Sequence, residues 1–177
     1  MNAFVAGAPR PMVVGHRGVP RLHQENTLAG FRRAAALGIP AIELDVVLSA
    51  DGVPVVFHDA DVDRLTDGRG AVADLTWDQL ARLRVGTRLE YGAVGGGPSV
   101  VMRYARPEPI ARLDEVLAEL AGRVAINVEI KLGLPRWWRT DVAARTAEVI
   151  AAARATDAVI VTAFDPRKLA VARRAHP

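Results

Sequence analysis

Seven side chains in this sequence are of the types that handle phosphate esters and hard cations. They are His16 and Arg17 in Val13-Val14-Gly15-His16-Arg17-Gly18, Glu43 and Asp45 in Ala41-Ile42-Glu43-Leu44-Asp45-Val46, His58 in Val55-Val56-Phe57-His58-Asp59, and Glu129 and Lys131 in Ile126-Asn127-Val128-Glu129-Ile130-Lys131. Each lies inside or directly after an apolar run of β type. A strand covered on both faces reads as uninterrupted Val, Ile and Leu, and an unpaired charge placed there costs several kcal/mol. Four interruptions of one chemical kind point to metal-assisted phosphodiester chemistry.

Glu43 and Asp45 are two residues apart, so on a strand both point to one face. Two carboxylates at 4 Å repel by roughly 4 kcal/mol at an effective dielectric near 20. Either one binds a proton, or a cation bridges them. Glu129 from another strand would add a third carboxylate. Three oxygen donors without a thiolate suit Mg²⁺ or Ca²⁺ better than Zn²⁺. The plainer alternative for any one of these acids is an ion pair with Arg17 or Lys131. His16 and His58 titrate in the range where imidazoles serve as general acid and base, while Arg17 offers a two-pronged donor to phosphate. Gly18 allows the chain to turn at the strand end. Lys131 shares a face with Glu129, so its ammonium can reach the same ligand. His23, in a loop, and His176, at the chain end, read as ordinary surface histidines. Trp137-Trp138 reads as packing or an interface.

The elements that must position these groups alternate between strand and helix. Val13–Gly15 is a short strand. A helix capped at Asn26 or Thr27 runs to about Leu37, with Leu28, Phe31, Ala34 and Ala35 at helical spacing and Gly38 as its stop. Ala41–Leu48 and Val53–Phe57 are strands separated by Ser49-Ala50-Asp51-Gly52. That connection is too short for a parallel crossover, so these two strands form a hairpin, and folding it about Asp51-Gly52 sets Asp45 opposite His58. Thr76 and Gln79 stand at capping-box spacing in a helix start at 75–80. Residues 86–109, with Gly95-Gly96-Gly97-Pro98, read as a long loop or insertion. Further on come a helix at Leu113–Ala121, a strand at 124–130, a helix at 139–155, a fifth strand at 158–163 and a helix from Pro166 to Ala175.

This alternation is that of an α/β layer or barrel. The 177 residues suffice for one domain with a real core, whereas a (β/α)₈ barrel takes about 250. Half of the residues are hydrophobic and 24% charged, which excludes disorder. No apolar run approaches the ~20 residues of a membrane span. The first eleven residues lack the pattern of a secretory leader, and cysteine is absent; a cytoplasmic setting is expected. The net charge of +3 comes from scattered arginines with no interleaved aromatic residues, which argues against nucleic acid.

Taken together the motifs resemble the glycerophosphodiester phosphodiesterase family. The resemblance rests on Gly15-His16-Arg17-Gly18, Gln24-Glu25-Asn26-Thr27 with Phe31, Ile42-Glu43-Leu44-Asp45-Val46, Asp51-Gly52, Val55-Val56-Phe57-His58-Asp59, Arg64-Leu65-Thr66, Leu113-Asp114-Glu115-Val116-Leu117 and Val128-Glu129-Ile130-Lys131, in the family's order over nearly the whole chain. It implies a TIM barrel of the (β/α)₈ type with an insertion after the third strand, here one partial domain over 1–177, cut short after the fifth strand, with 86–109 as the insertion. It further implies His16 and His58 as the acid–base pair and Glu43, Asp45 and Glu129 as ligands of one Mg²⁺ or Ca²⁺. Arg17 and Lys131 would hold the phosphate. The substrate would be a small glycerophosphodiester, hydrolysed to glycerol 3-phosphate and an alcohol. Which histidine is the acid stays open.

Two departures are visible. The family's Pro-Glu-Asn-Thr reads Gln24-Glu25-Asn26-Thr27, and its Ser-Phe after strand five reads Ala163-Phe164. The family's last three strands and the aromatic wall they lend to the pocket have no counterpart, so strand edges would lie open to self-association. Two alternatives stand beside the hydrolase: an inactive remnant that keeps the ligands, and, less favoured, a related barrel lipase acting on sphingomyelin or phosphoinositides, for which no surface anchor is visible.

Overall fold

The computed structural model describes residues 2, 4, 11–92, 99–131 and 141–175. Trp137, Trp138, His176 and the expected helix start at 139–140 lie outside the described residues. β1 (Val14–His16) leads into α1 (Leu28–Ala36). The Thr27 hydroxyl caps that helix, accepting from the Gly30 amide at 3.2 Å, and Gly38 ends it at a φ of +74°. β2 (Ala41–Leu48) and β3 (Pro54–Val56) follow, then α2 (Trp77–Leu80), opened by a capping box between Thr76 and Gln79. Four short strands come next: β4 (Arg84–Val85), β5 (Arg88–Tyr91), β6 (Val100–Arg103) and β7 (Glu108–Pro109). β8 (Ala111–Arg112) passes into α3 (Leu113–Leu120), and β9 (Ala125–Ile130), α4 (Asp141–Ala152), β10 (Val159–Ala163) and α5 (Pro166–Ala175) complete the order.

The main sheet runs β10-β9-β2-β3-β8, with β1 also on β2. β1, β9 and β10 are parallel to their neighbours, and β3 is antiparallel to β2. β1 pairs with residues 41–43 of β2 and β3 with residues 46–48. β9 occupies the other edge of β2 from Ala41 to Val46. β1 and β3 therefore share one edge of β2 and run toward each other, so their C-terminal ends, His16 and His58, meet beside the middle of β2.

Alternation along the strands separates core from site. Ile42, Leu44 and Val46 of β2, with Ile126, Val128 and Ile130 of β9, face the helices. There they join Phe31, Leu113, Leu117, Leu120, Val142 and Ile150 in one apolar cluster. The residues between them, Glu43, Asp45, Asn127 and Glu129, face the opposite side. The helices thus take the whole apolar face, and the acids are left on the opposite face of the sheet.

The register of β2 on β3 differs by one residue from that expected. Leu48 pairs with Pro54 and Val46 with Val56, and the Phe57 amide donates to the Asp45 carbonyl at 3.0 Å. Phe57, not His58, is the neighbour of Asp45. The connection between the paired residues is the five-residue stretch 49–53, centred on Asp51 rather than on the Asp51-Gly52 bond. The Ser49 hydroxyl closes that turn by bonding the Val53 amide at 2.9 Å and Asp51 at 2.6 Å.

Residues 86–109 carry paired strands rather than a bare loop, since β5 pairs with β6 and β4 with β7. With residues 60–85 before it this stretch forms a module with its own apolar cluster, in which Leu80, Val85, Leu89 and Ile110 pack with Val62, Leu65 and Val72 against Val47, Val55 and Phe57 of the hairpin. Two ties bind it to the β1–α1 loop. The buried Gln24 carboxamide donates to the carbonyls of Gly86 at 3.2 Å and Arg106 at 2.7 Å, and the Tyr104 hydroxyl donates to the Pro20 carbonyl at 2.7 Å. The departure at Gln24 thus supplies a clamp that proline has no donor to make. Removing it leaves two carbonyls short of a partner, at about 1–3 kcal/mol each where water cannot enter. Gln24→Ala is expected to lower unfolding stability by about 2 kcal/mol with an unchanged denaturant slope, as read from urea titration.

Candidate functional site

The loop from Gly15 to Thr27 builds the first half of the site. Gly15 and Gly18 must be glycine: a Cβ on Gly15 would lie 2.7 Å from the Gly18 carbonyl oxygen, and Gly18 has a φ of +89° with Gly30 and Phe31 close by. Between and after them Arg17 and Asn26 both adopt left-handed backbone, with φ of 53° and 55°, a conformation that costs a non-glycine residue about 1–2 kcal/mol. The strain is held by local bonds. The Asn26 amide donates to the Arg17 carbonyl at 3.1 Å. The Arg17 amide donates to Glu43 Oε2 at 2.9 Å. The Asn26 carboxamide grips Asp45, donating to Oδ2 at 2.8 Å and accepting from the Asp45 amide at 3.2 Å.

The sheet brings the acids together. Glu43 lies between His16 of β1 and Asn127 of β9, and Asp45 lies beside Glu129. One carboxylate oxygen from each of Glu43, Asp45 and Glu129 falls within 4.8 Å of the others, which makes them, among the described residues, the one group of three acids or histidines able to share an ion. Glu43 and Asp45 are 6% and 1% exposed.

Lys131 reaches the same cluster, with Nζ 2.8 Å from Glu129 Oε1 and 3.3 Å from Asp45 Oδ1. Lys168 of α5, wholly buried, donates to the Lys131 carbonyl and so fixes the residue that follows β9. The Arg17 guanidinium lies 3.2 Å from Asp45 Oδ2 and 3.3 Å from Glu25 Oε1. Ion pairing with Arg17 and Lys131 therefore accounts for Asp45 and Glu129. Glu43 is different: among the described residues the one basic side chain within 4 Å of it is the imidazole of His16, at 3.9 Å, and it carries a single amide bond. Burial, and after it the Asp45 carboxylate, push its carboxyl up to about 7.

Counting the joined side chains, five carboxylates (Glu25, Glu43, Asp45, Asp59 and Glu129) face three cations (Arg17, Arg64 and Lys131). Glu43 Oε1 and Asp45 Oδ1 are buried without a hydrogen bond, a rare state for buried oxygens. An excess of acids over cations, with a buried Glu43 oxygen that no group bonds, fits one divalent cation.

The imidazoles flank the cluster. His16 is 69% exposed, and partial burial together with the Arg17 charge lowers its pKa, which favours the neutral imidazole. His58 Nδ1 lies 2.6 Å from Asp59 Oδ1. Asp59 is in turn gripped by Arg64, Nε to Oδ2 at 2.6 Å and Nη2 to Oδ1 at 3.0 Å. Burial works against ionisation of Asp59, but the bonds from His58 and Arg64 outweigh it and hold the carboxyl well below the usual range.

All seven residues singled out from the sequence lie at this site. Four that were not assigned roles there also belong to it: Glu25, Asn26, Asp59 and Arg64. Each sits inside a quoted motif, but its partners are set by loop backbone for which alternation along a strand gives no rule.

The matching family model, the glycerophosphoryl diester phosphodiesterase family, covers residues 16–177. The chain is 38% identical over 125 residues to a glycerophosphodiester phosphodiesterase of Caldanaerobacter subterraneus, which aligns 71% of this chain with 47% of that protein. It is 33% identical to a human glycerophosphoinositol inositolphosphodiesterase, over 94% of this chain and 34% of the relative. Among solved structures, a glycerophosphodiester phosphodiesterase from Agrobacterium tumefaciens superposes with a TM-score of 0.73 at 28% identity, covering 94% of this chain and 63% of the other. An Oleispira antarctica phosphodiesterase in complex with the product sn-glycerol-3-phosphate gives 0.72 at 27%, covering 93% and 62%. The chain thus spans about half of the first relative and less than two thirds of these structures. On its motifs, its α/β fold and a family match over nine tenths of its length, the chain belongs to the glycerophosphoryl diester phosphodiesterase family.

Proposed function

We propose that this chain hydrolyses small glycerophosphodiesters to glycerol 3-phosphate and an alcohol, with one Mg²⁺ or Ca²⁺ held by Glu43, Asp45 and Glu129. The observation that carries the reading is the convergence of these three acids, two of them buried and each of those two with an oxygen that accepts no hydrogen bond, between two imidazoles. The names of the relatives and the product bound in a similar structure support the same reaction. Hard carboxylate oxygens favour Mg²⁺ or Ca²⁺ over softer metals. Such an ion would supply charge neutralisation at the phosphate oxygens and polarise phosphorus.

The protein's own groups do the rest. Arg17 and Lys131, both leaning on Asp45, stand ready to turn toward a phosphate once the negative surplus is balanced. His16, neutral and open to solvent, takes the proton of the nucleophile, whether that is water or the substrate's adjacent glycerol hydroxyl. Asp59 is an anion and can only accept, so it holds the proton on His58 Nδ1 and directs Nε2 toward the reaction centre. As general acid His58 must hold a second proton on Nε2; that proton passes to the oxygen of the leaving alcohol as its bond to phosphorus breaks, and leaves behind the Nδ1-protonated imidazole that Asp59 favours.

Release of glycerol 3-phosphate from glycerophosphocholine with Mg²⁺ or Ca²⁺ tests the reading. His58→Ala is expected to cut kcat about 10²–10⁴-fold, and a chelator to abolish turnover. A folded wild-type chain that releases no product with either ion would overturn it.

The raised carboxyl of Glu43 sets a pH dependence. Its folded value of about 7 lies above the ordinary 4.5, so without metal its contribution to stability is full below 4.5 and is lost as pH rises through 7. The loss is on the order of 3 kcal/mol. A cation must displace that proton, so its apparent affinity should fall about tenfold per pH unit below 7. The Tm increase caused by millimolar Mg²⁺ or Ca²⁺ should accordingly be large at pH 8 and small at pH 5.5, and Glu129→Gln should diminish it at both.

A further inference from the structure

We infer that Arg64 is a positioning residue that sets both halves of the proposed machinery at once: His58 through Asp59, and Arg17 through Glu25. The inference deepens the proposed reaction and rests on it for its catalytic meaning, while its structural content can be read without turnover.

Arg64 projects from a firm base. Leu65 beside it is fully buried in the hairpin cluster, and the Thr66 amide and hydroxyl both donate to the Val62 carbonyl, at 3.0 and 2.9 Å. From there the guanidinium makes three bonds. Nε and Nη2 take the two oxygens of Asp59 at 2.6 and 3.0 Å, and Nη2 also reaches Glu25 Oε1 at 2.7 Å. The Tyr91 ring lies 5.9 Å from its Cζ, on the module that Gln24 and Tyr104 clamp to the same loop.

A forked pair of bonds fixes the plane of a carboxylate as well as its place. Among the described residues no other side chain gives Asp59 such a fork, so Arg64 decides where Asp59 Oδ1 stands and hence which nitrogen of His58 holds the proton. Glu25 is 1% exposed and its Oε2 lacks a hydrogen bond. The same Oε1 that accepts from Arg64 lies 3.3 Å from Arg17 Nη1. Without Arg64 the buried Glu25 would keep Arg17 as its remaining cation and draw it away from phosphate. One guanidinium thus orients the imidazole and releases Arg17 for substrate. Lysine retains the charge at this position but has no fork.

The test compares wild type, Arg64→Ala, Arg64→Lys and Asp59→Asn. The His58 tautomer is read from imidazole ¹⁵N shifts at pH 9 without substrate, and kcat and KM for glycerophosphocholine are measured in parallel. Wild type should show the proton on Nδ1, and Arg64→Ala a mixture of tautomers. Its kcat should fall about ten- to a hundredfold, the usual scale for a misplaced catalytic group, with a several-fold rise in KM. Arg64→Lys should stay folded yet recover little of either. Guanidinium ion should rescue Arg64→Ala and not His58→Ala. If Arg64→Ala does not fold, Asp59→Asn takes its place in the tautomer measurement and should show the same mixing. A wild-type His58 tautomer preserved in the folded variants would overturn the inference whatever the activity. Mixed tautomers in a chain whose wild type is inert would uphold the positioning and defeat the proposed reaction.

Discussion

Two acids of like charge, buried on one face of one strand, impose a debt that the surrounding structure is arranged to meet. Glu43 and Asp45 cannot move apart, because β2 is paired along both edges. They cannot rotate to the other face without exchanging places with Ile42, Leu44 and Val46, which the helices bury. Compensation must therefore come to them. Arg17 and Asn26 arrive on a loop bent through left-handed backbone, Lys131 arrives from the end of β9, and each bonds Asp45. Glu43 receives least, which is why its proton is held up to about neutral pH.

The same strand also serves packing. Its even-numbered residues help close a core with α1, α3 and α4, and the stability of that core is what keeps repelling groups within reach of one another. The β2–β3 hairpin divides its loyalties in the same manner, since Val46 and Val56 join the helical core while Val47, Val55 and Phe57 hold the module of residues 60–110. Site and scaffold are two faces of one sheet. No helix among the described residues is long and apolar enough to cross a membrane.

Much of this is legible in the sequence because it depends on period two. Ala41–Leu48 reads as a strand to its exact ends, and alternation alone sends Glu43 and Asp45 to one face. That Glu129 joins them requires β9 to lie next to β2, which an α/β order makes natural. The strand register at His58 was less legible: Asp51-Gly52 marks a turn, but the Ser49 side chain extends it to five residues and shifts the ladder by one. Strands β4 to β7 are two to four residues long, below what any periodicity can show. Glu25, Asp59 and Arg64 bond across 5 to 39 positions through loops, where neither helical nor strand spacing applies.

The end-to-end meeting of β1 and β3 along β2 gives the enzyme-like face an unusual form of tolerance. Both imidazole-bearing segments are indexed against the same ruler, so their separation is measured in steps of β2 and does not depend on the length of the helix that precedes it. Helix α1 can be lengthened or trimmed while the two histidines stay in step. A fold wired this way can change the helix behind the sheet without moving the two imidazoles in front of it.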